Sequence, residues 1–200
     1  MRMFRTTIFG PLLDVDLVFN GKLFYHFLLR EVTDANPDVI AFNILKKKVK
    51  FFQDDFNLIT GLWSTKKIVE RETSDERLRQ LILRPKDPND KDSSCKDVEN
   101  AFKKLTFTND EDVVKVALAL FIEIVMIEKD KKTLFDVKTF GIVDDPEVFR
   151  HYDWLSVFFK RTLNIMKTNM HGKKEAHETN KAENAHHAAY YCIKGFAVAF

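Results

Sequence analysis

The 200-residue chain reads as a mainly α (α+β) protein, a single helical domain around one buried central helix with a small β hairpin. Two stretches carry that reading. Residues Val113 to Ile127, VVKVALALFIEIVMI, are apolar nearly all round and interrupted only by Lys115 and Glu123. A helix without a polar face is ordinarily buried on every face. In the second stretch Ile40, Phe42 and Ile44 alternate with Ala41 and Asn43, and Val49 and Phe51 with Lys48 and Lys50. That is the period of paired strands. With 19 phenylalanines, a chain of this length has ample material for a core.

The start of the central helix is marked by Thr108 and Glu111, spaced as a capping box, and by Asp110, Glu111 and Asp112 at the positive end of the helix dipole. Lys129, Lys131 and Lys132 follow at the negative end. The run is shorter than the ~20 residues that span a bilayer, so no membrane contact is expected.

The other elements follow from local signals. Gly10-Pro11 is a turn. Asn20 caps a helix whose inner face holds Leu23, Phe24, Phe27 and Leu28, and Asn36-Pro37-Asp38 ends it. The hairpin turns at Leu45-Lys46-Lys47, without the Asn-Gly or Asp-Gly that would fix its register. Gln53 to Ile59 reads as a short helix with Phe56 and Ile59 inward and Gly61 as its stop. Thr73 with Glu76 opens a helix carrying Leu78, Leu81 and Ile82, and Ser94 with Asp97 opens one carrying Val98, Ala101, Phe102 and Leu105. Residues 84–94 are a loop by composition. Lys132 to Asp145 reads as a mixed connector with a short strand. Asp145-Pro146 starts a helix, and Asp153 caps a longer one with Leu155, Phe158, Phe159, Leu163 and Met166 on one side.

In domain terms, residues 1–168 form the globular part. Residues 169–188 hold almost nothing to bury and read as a flexible polar insert. Residues 189–200 turn apolar again and read as the start of a truncated closing element of the same domain. Net charge is +2, divided as +3 over residues 1–50, −4 over 51–150 and +3 over 151–200. No basic block dominates, so net charge gives little support to nucleic-acid binding. Two distant cysteines, Cys95 and Cys192, and an N-terminus without an apolar leader point to an intracellular, reducing setting.

Catalytic chemistry is not visible. His171, His177, His186, His187 and Cys192 crowd one segment but match no zinc spacing. His26 and His151 sit among aromatic residues, as packed histidines do. Neither cysteine has the local context of a nucleophile. There is no glycine-rich phosphate loop, no GxSxG and no HExxH. The acidic run from Asn109 lacks the ligand alternation of a calcium loop. No catalytic, metal or cofactor residue is therefore assigned. The best candidate contact surface is Lys46, Lys47, Lys48 and Lys50. A basic hairpin can touch phosphates without reading sequence. Lysines that merely guard a sheet edge are the simpler explanation.

Several motifs in order carry a resemblance: Phe9-Gly10, FLLREV at 27–32, Ala41-Phe42-Asn43, FFQDDFNLITGLW at 51–63, VKVALALFIEIV at 114–125, Tyr152-Asp153-Trp154 and IKGFAVAF at 193–200. The chain resembles a plant family of domains of unknown function in genes derived from Mutator-like transposable elements. In that family the domain often precedes a ubiquitin-like (SUMO-type) cysteine protease. The resemblance implies a plant source, a transposon-derived gene and a nuclear setting. The family's closing element normally runs into a tryptophan-containing helix, which this chain lacks, and the protease half with its His, Asp, Gln and Cys is missing. The expected function is a non-catalytic accessory or interaction domain with a protein partner. The alternatives are a nucleic-acid-binding module using the Lys46–Lys50 hairpin, or a fragment of a ubiquitin-like cysteine peptidase without its catalytic domain.

Overall fold

The computed structural model describes residues 2–14, 21–64, 69, 71–83, 93–169, 179 and 182. In chain order the elements are α1 (Arg2–Arg5), a 3-10 turn (Gly10–Asp14), α2 (Gly21–Leu28), β1 (Glu31–Val32), β2 (Ile40–Ile44) and β3 (Lys47–Phe51). Then come α3 (Gln53–Thr60), α4 (Glu76–Leu83), α5 (Cys95–Lys104), α6 (Asp110–Leu120), a π turn (Phe121–Met126), α7 (Lys138–Asp144), α8 (Pro146–His151) and α9 (Trp154–Asn169). The protein is mainly α with a small antiparallel sheet in the order β1-β2-β3. Among the described residues no helix is long and apolar enough to cross a membrane. The polar segment and the closing element expected after Thr168 lie almost wholly outside the described residues. Contacts gather into two compact units, one of Met1–Val15 with Trp63–Trp154, the other of Asp16–Leu62 with Leu155–Phe200.

In the first unit Phe9 is fully buried and its ring meets Phe121, Phe149 and Trp154 at centroid distances of 5.6, 5.8 and 5.6 Å. Gly10 beside it is required by space, because a Cβ there would stand 2.0 Å from the Arg5 carbonyl oxygen. The capping box of α5 forms as its sequence predicts: Asp97 N–H donates to the Ser94 hydroxyl (3.3 Å) and Ser94 N–H to the Asp97 carboxylate (3.0 Å). Asp145 caps α8 by accepting from Glu147 and Val148 N–H.

Four expectations change here. The cap of α6 is Asn109, not Thr108; its side-chain oxygen accepts from Asp112 N–H at 2.7 Å. At α4 it is Ser74, not Thr73, whose hydroxyl accepts from Glu76 N–H, and Leu81 is only half-buried. The expected connector strand is reduced to a single antiparallel bridge between Leu134 and Ser94, and its second half, Lys138–Asp144, is helix α7. Its Gly141 and β-branched residues are poor helix formers, but Gly141 permits a close approach, since a Cβ would lie 2.8 Å from the Thr73 hydroxyl. The central helix is not buried on every face either. Val116, Ala119, Ile122, Glu123 and Met126 face the core, whereas Val113, Ala117, Ile124 and Val125 line an open apolar groove of about 400 Å³, and Val125 is 44% exposed.

The π turn shifts the hydrogen bonds, so that Ile127 N–H reaches Ile122 O (2.9 Å) and Lys129 N–H reaches Glu123 O (3.0 Å). Glu123 lies inside, on the face that also carries Val116, Ala119 and Met126. Its carboxylate accepts from Thr139 Oγ1 at 2.7 Å and Asp136 N–H at 3.4 Å, and pairs with Lys129 Nζ at 2.5 Å.

In the second unit, α2 buries Phe24, Tyr25 and Leu28 but turns Leu23 to solvent, against expectation. The chain forms β1 before Asn36-Pro37, an element too short for a periodic signal. Sheet register is Ile40↔Phe51, Phe42↔Val49 and Ile44↔Lys47 on one face, with Ala41↔Lys50 and Asn43↔Lys48 on the other. Helix α3 ends at Gly61, which adopts φ +69, as a glycine stop does. Phe56 is buried, whereas Ile59 is half-exposed rather than inward. Helix α9 buries Leu155, Phe158, Phe159, Leu163 and Met166, as its spacing predicts, with Phe159 against Phe51 and Phe56.

Candidate functional site

The hairpin turns in two residues, Leu45 and Lys46, both in the left-handed region with φ 51 and 65. Glycine and asparagine fill such positions at little cost; a leucine does so at a strain of roughly 1 kcal/mol. Leu45 is also 91% exposed, so a large apolar side chain stands in water on a strained backbone. Neither property helps the fold. Beside the tip, Leu23, Phe27, Ile44 and Leu45 form the apolar lining of a cleft that also carries His26 and Arg30. Arg30 is anchored there by its NH1 donating to the His26 carbonyl at 2.6 Å.

The four candidate lysines fall into two sets. Lys48 and Lys50 share a strand face and both reach Asp34, at 2.8 and 2.9 Å, while Lys48 Nζ also donates to the Thr33 carbonyl at 3.3 Å. The two ammonium groups, with help from Asn36 N–H, hold the Asp34 carboxyl well below the usual carboxylate range. Its side chain is only 6% exposed. Lys46 and Lys47 are exposed and have no ion pair among the described residues. The structure thus brings Lys48 and Lys50 together on one carboxylate and leaves Lys46 and Lys47 as outward cations at the turn.

The remaining candidates are placed as follows. Cys95 is fully buried at the start of α5, and burial, with Glu123 nearby, pushes its thiol pKa up, away from the thiolate that a nucleophile needs. His26 is exposed on α2 and His151 is half-buried at the end of α8. Cys192, His171, His177, His186 and His187 lie outside the described residues. Among the described residues no group of three His, Cys, Asp or Glu is placed to hold a metal ion.

Sequence reasoning missed Leu45 and Asp34. The signal for Leu45 was present: two matched alternations separated by a turn without glycine or asparagine imply a strained residue there. Asp34 gave no signal, since its partners are 14 and 16 residues away and meet it only through the sheet.

A family model described as "Domain of unknown function (DUF1985)" matches residues 28–165, from the end of α2 into α9. No curated protein and no solved structure matches the chain.

Proposed function

The chain belongs to the DUF1985 family of domains of unknown function, and from that premise we propose that it is a non-catalytic interaction domain that holds a protein partner through its β hairpin. The resemblance described above supports a finer version. In it the chain is the accessory companion of a SUMO-type cysteine protease in a transposon-derived plant protein, working inside the cell and in the nucleus.

One observation carries the reading: Leu45, on the rim of the cleft, combines a strained backbone with a side chain left almost wholly in water. Backbone outliers of this kind cluster at functional sites. Replacing the turn by Leu45→Asn with Lys46→Gly supplies the residues a two-residue hairpin prefers. The exchange is expected to raise stability by about 1–2 kcal/mol in urea denaturation. A fall in stability would mean the turn is built for the fold, and the reading would lose its support.

The chain alone is also expected to release nothing from a SUMO–reporter fusion. Hydrolysis abolished by Cys95→Ala or Cys192→Ala would overturn the non-catalytic reading. A second reading, nucleic-acid binding, is favoured by the exposed ammonium groups of Lys46 and Lys47 at the tip, which have no ion pair among the described residues. It predicts salt-dependent binding weakened by Lys46→Glu and Lys47→Glu.

A further inference from the structure

We propose that the open edge of β3 is a docking site for an acidic, extended protein segment that joins the sheet as a fourth strand. The proposal deepens the interaction reading and rests on it.

Three observations converge. First, β3 ends the sheet. Asn43 N–H donates to the Arg30 carbonyl at 2.8 Å, on the side of β2 away from β3, so Asn43 and its partner Lys48 face each other without exchanging bonds. Bonded and non-bonded pairs alternate along an antiparallel ladder. Lys48 and Lys50 therefore turn their N–H and C=O groups to the open edge, where no strand lies among the described residues.

Second, nothing among the described residues blocks the edge. Natural edges are blunted by bulges, prolines and overlying lysines. Register here is regular through five pairs, and β3 has no proline. The side chains of Lys48 and Lys50 are drawn over the sheet to Asp34, which follows β1 on the other side of β2. The ammonium groups nearest the open peptide groups are held away from them.

Third, charge selects the occupant. Four lysines in five positions face one carboxylate, and Lys46 and Lys47 remain without an ion pair among the described residues. A second copy of β3 would set lysines against lysines, which disfavours self-pairing. An acidic strand is attracted, and Val49, 47% exposed on the face of Lys47, offers an apolar contact to alternate side chains. Phosphates would use the ammonium groups but neither the peptide edge nor Val49.

The test is fluorescence anisotropy on the full chain at low salt with a labelled peptide alternating Val and Glu. Three probes accompany it: the same peptide with alternate backbone nitrogens methylated, a Val-Lys version, and a single-stranded oligothymidylate. Binding of the Val-Glu peptide alone is expected. About a tenfold loss is expected on methylation, which removes strand bonds, and a similar loss for Lys46→Glu with Lys47→Glu. Lys50→Pro, which removes only an outward N–H, is expected to weaken binding well beyond Lys50→Ala, and melting curves check that both variants fold.

Equal binding of the methylated peptide would overturn the strand-addition proposal, as would tight oligothymidylate binding without peptide binding. Peptide binding lost in Leu45→Asn but unchanged in Lys50→Pro would also overturn it, while leaving the hairpin as the interaction surface. The two ideas can therefore fail separately.

Discussion

Glu123 is 1% exposed and stands where the sequence shows only an interruption in an apolar run. Its partners lie at sequence separations of 6, 13 and 16 and converge on the helix face that also carries Val116, Ala119 and Met126. A run that is apolar on nearly every side does not show which segments will meet its one acidic residue, so the partners of Glu123 were not legible in the sequence. A buried carboxylate satisfied on both oxygens is destabilising to disturb, because its partners are then stranded. Glu123→Ala is expected to cost about 3 kcal/mol in urea denaturation, and Glu123→Gln less, since the amide oxygen still accepts from Thr139. A loss below about 1 kcal/mol for the alanine variant would contradict this network. The Leu45–Lys46 turn is the opposite case. Its chemistry was legible as a missing glycine, but the consequence, an exposed and strained leucine, needed the backbone angles of the folded chain.

Helix starts were the most legible elements, because a cap is a contact between residues three apart. Ser94 with Asp97 and Asp145 with Pro146 both formed as spaced. At α6 the capping-box spacing of Thr108 with Glu111 pointed one residue too early, because Asn109, whose side chain makes the cap, has no Glu or Gln three residues on to mark it. Helix α7 was missed because Gly141 lowers helix propensity, and the close packing that compensates lies 68 residues away at Thr73.

How the helices of the first unit are tied together was also invisible. Arg77 on α4 donates to Asp144 on α7 at 2.6 and 2.7 Å and to Asp112 on α6 at 2.7 Å. Lys115 adds bonds to Asp144 (3.0 Å) and Glu111 (2.8 Å). Arg77 is the main cause holding Asp112 and Asp144 below their ordinary carboxylate range. A carboxylate pKa lower in the folded than in the unfolded chain contributes stability that is complete above the unfolded value. That stability is lost as pH falls through the folded one. The window therefore opens near pH 4 and extends downward. Arg77→Met is expected to cost about 1 kcal/mol at pH 7, a modest figure because the guanidinium is half-exposed. The same variant is expected to flatten the fall in stability below pH 4. An unchanged acid slope in urea titrations would contradict the assignment.

For the whole molecule, the mainly α class and the hairpin were legible because each rests on a periodicity within one segment. The division into two compact units and the apolar groove beside α6 were not, since both depend on which segments meet. The lysine cluster was found from sequence, but its division between Asp34 and solvent was not. That division turns a patch of charge into an open strand edge flanked by cations, which is the feature the strand-addition proposal rests on.

The most direct measurement follows the backbone amides of Lys48, Val49 and Lys50 by NMR hydrogen exchange in the full chain, with and without the Val-Glu peptide. Fast exchange is expected at Lys48 and Lys50 in the free chain, slow exchange at Val49, whose amide is bonded within the sheet, and selective slowing of Lys48 and Lys50 when peptide is added. Saturating peptide that leaves those two amides exchanging as before would contradict strand addition.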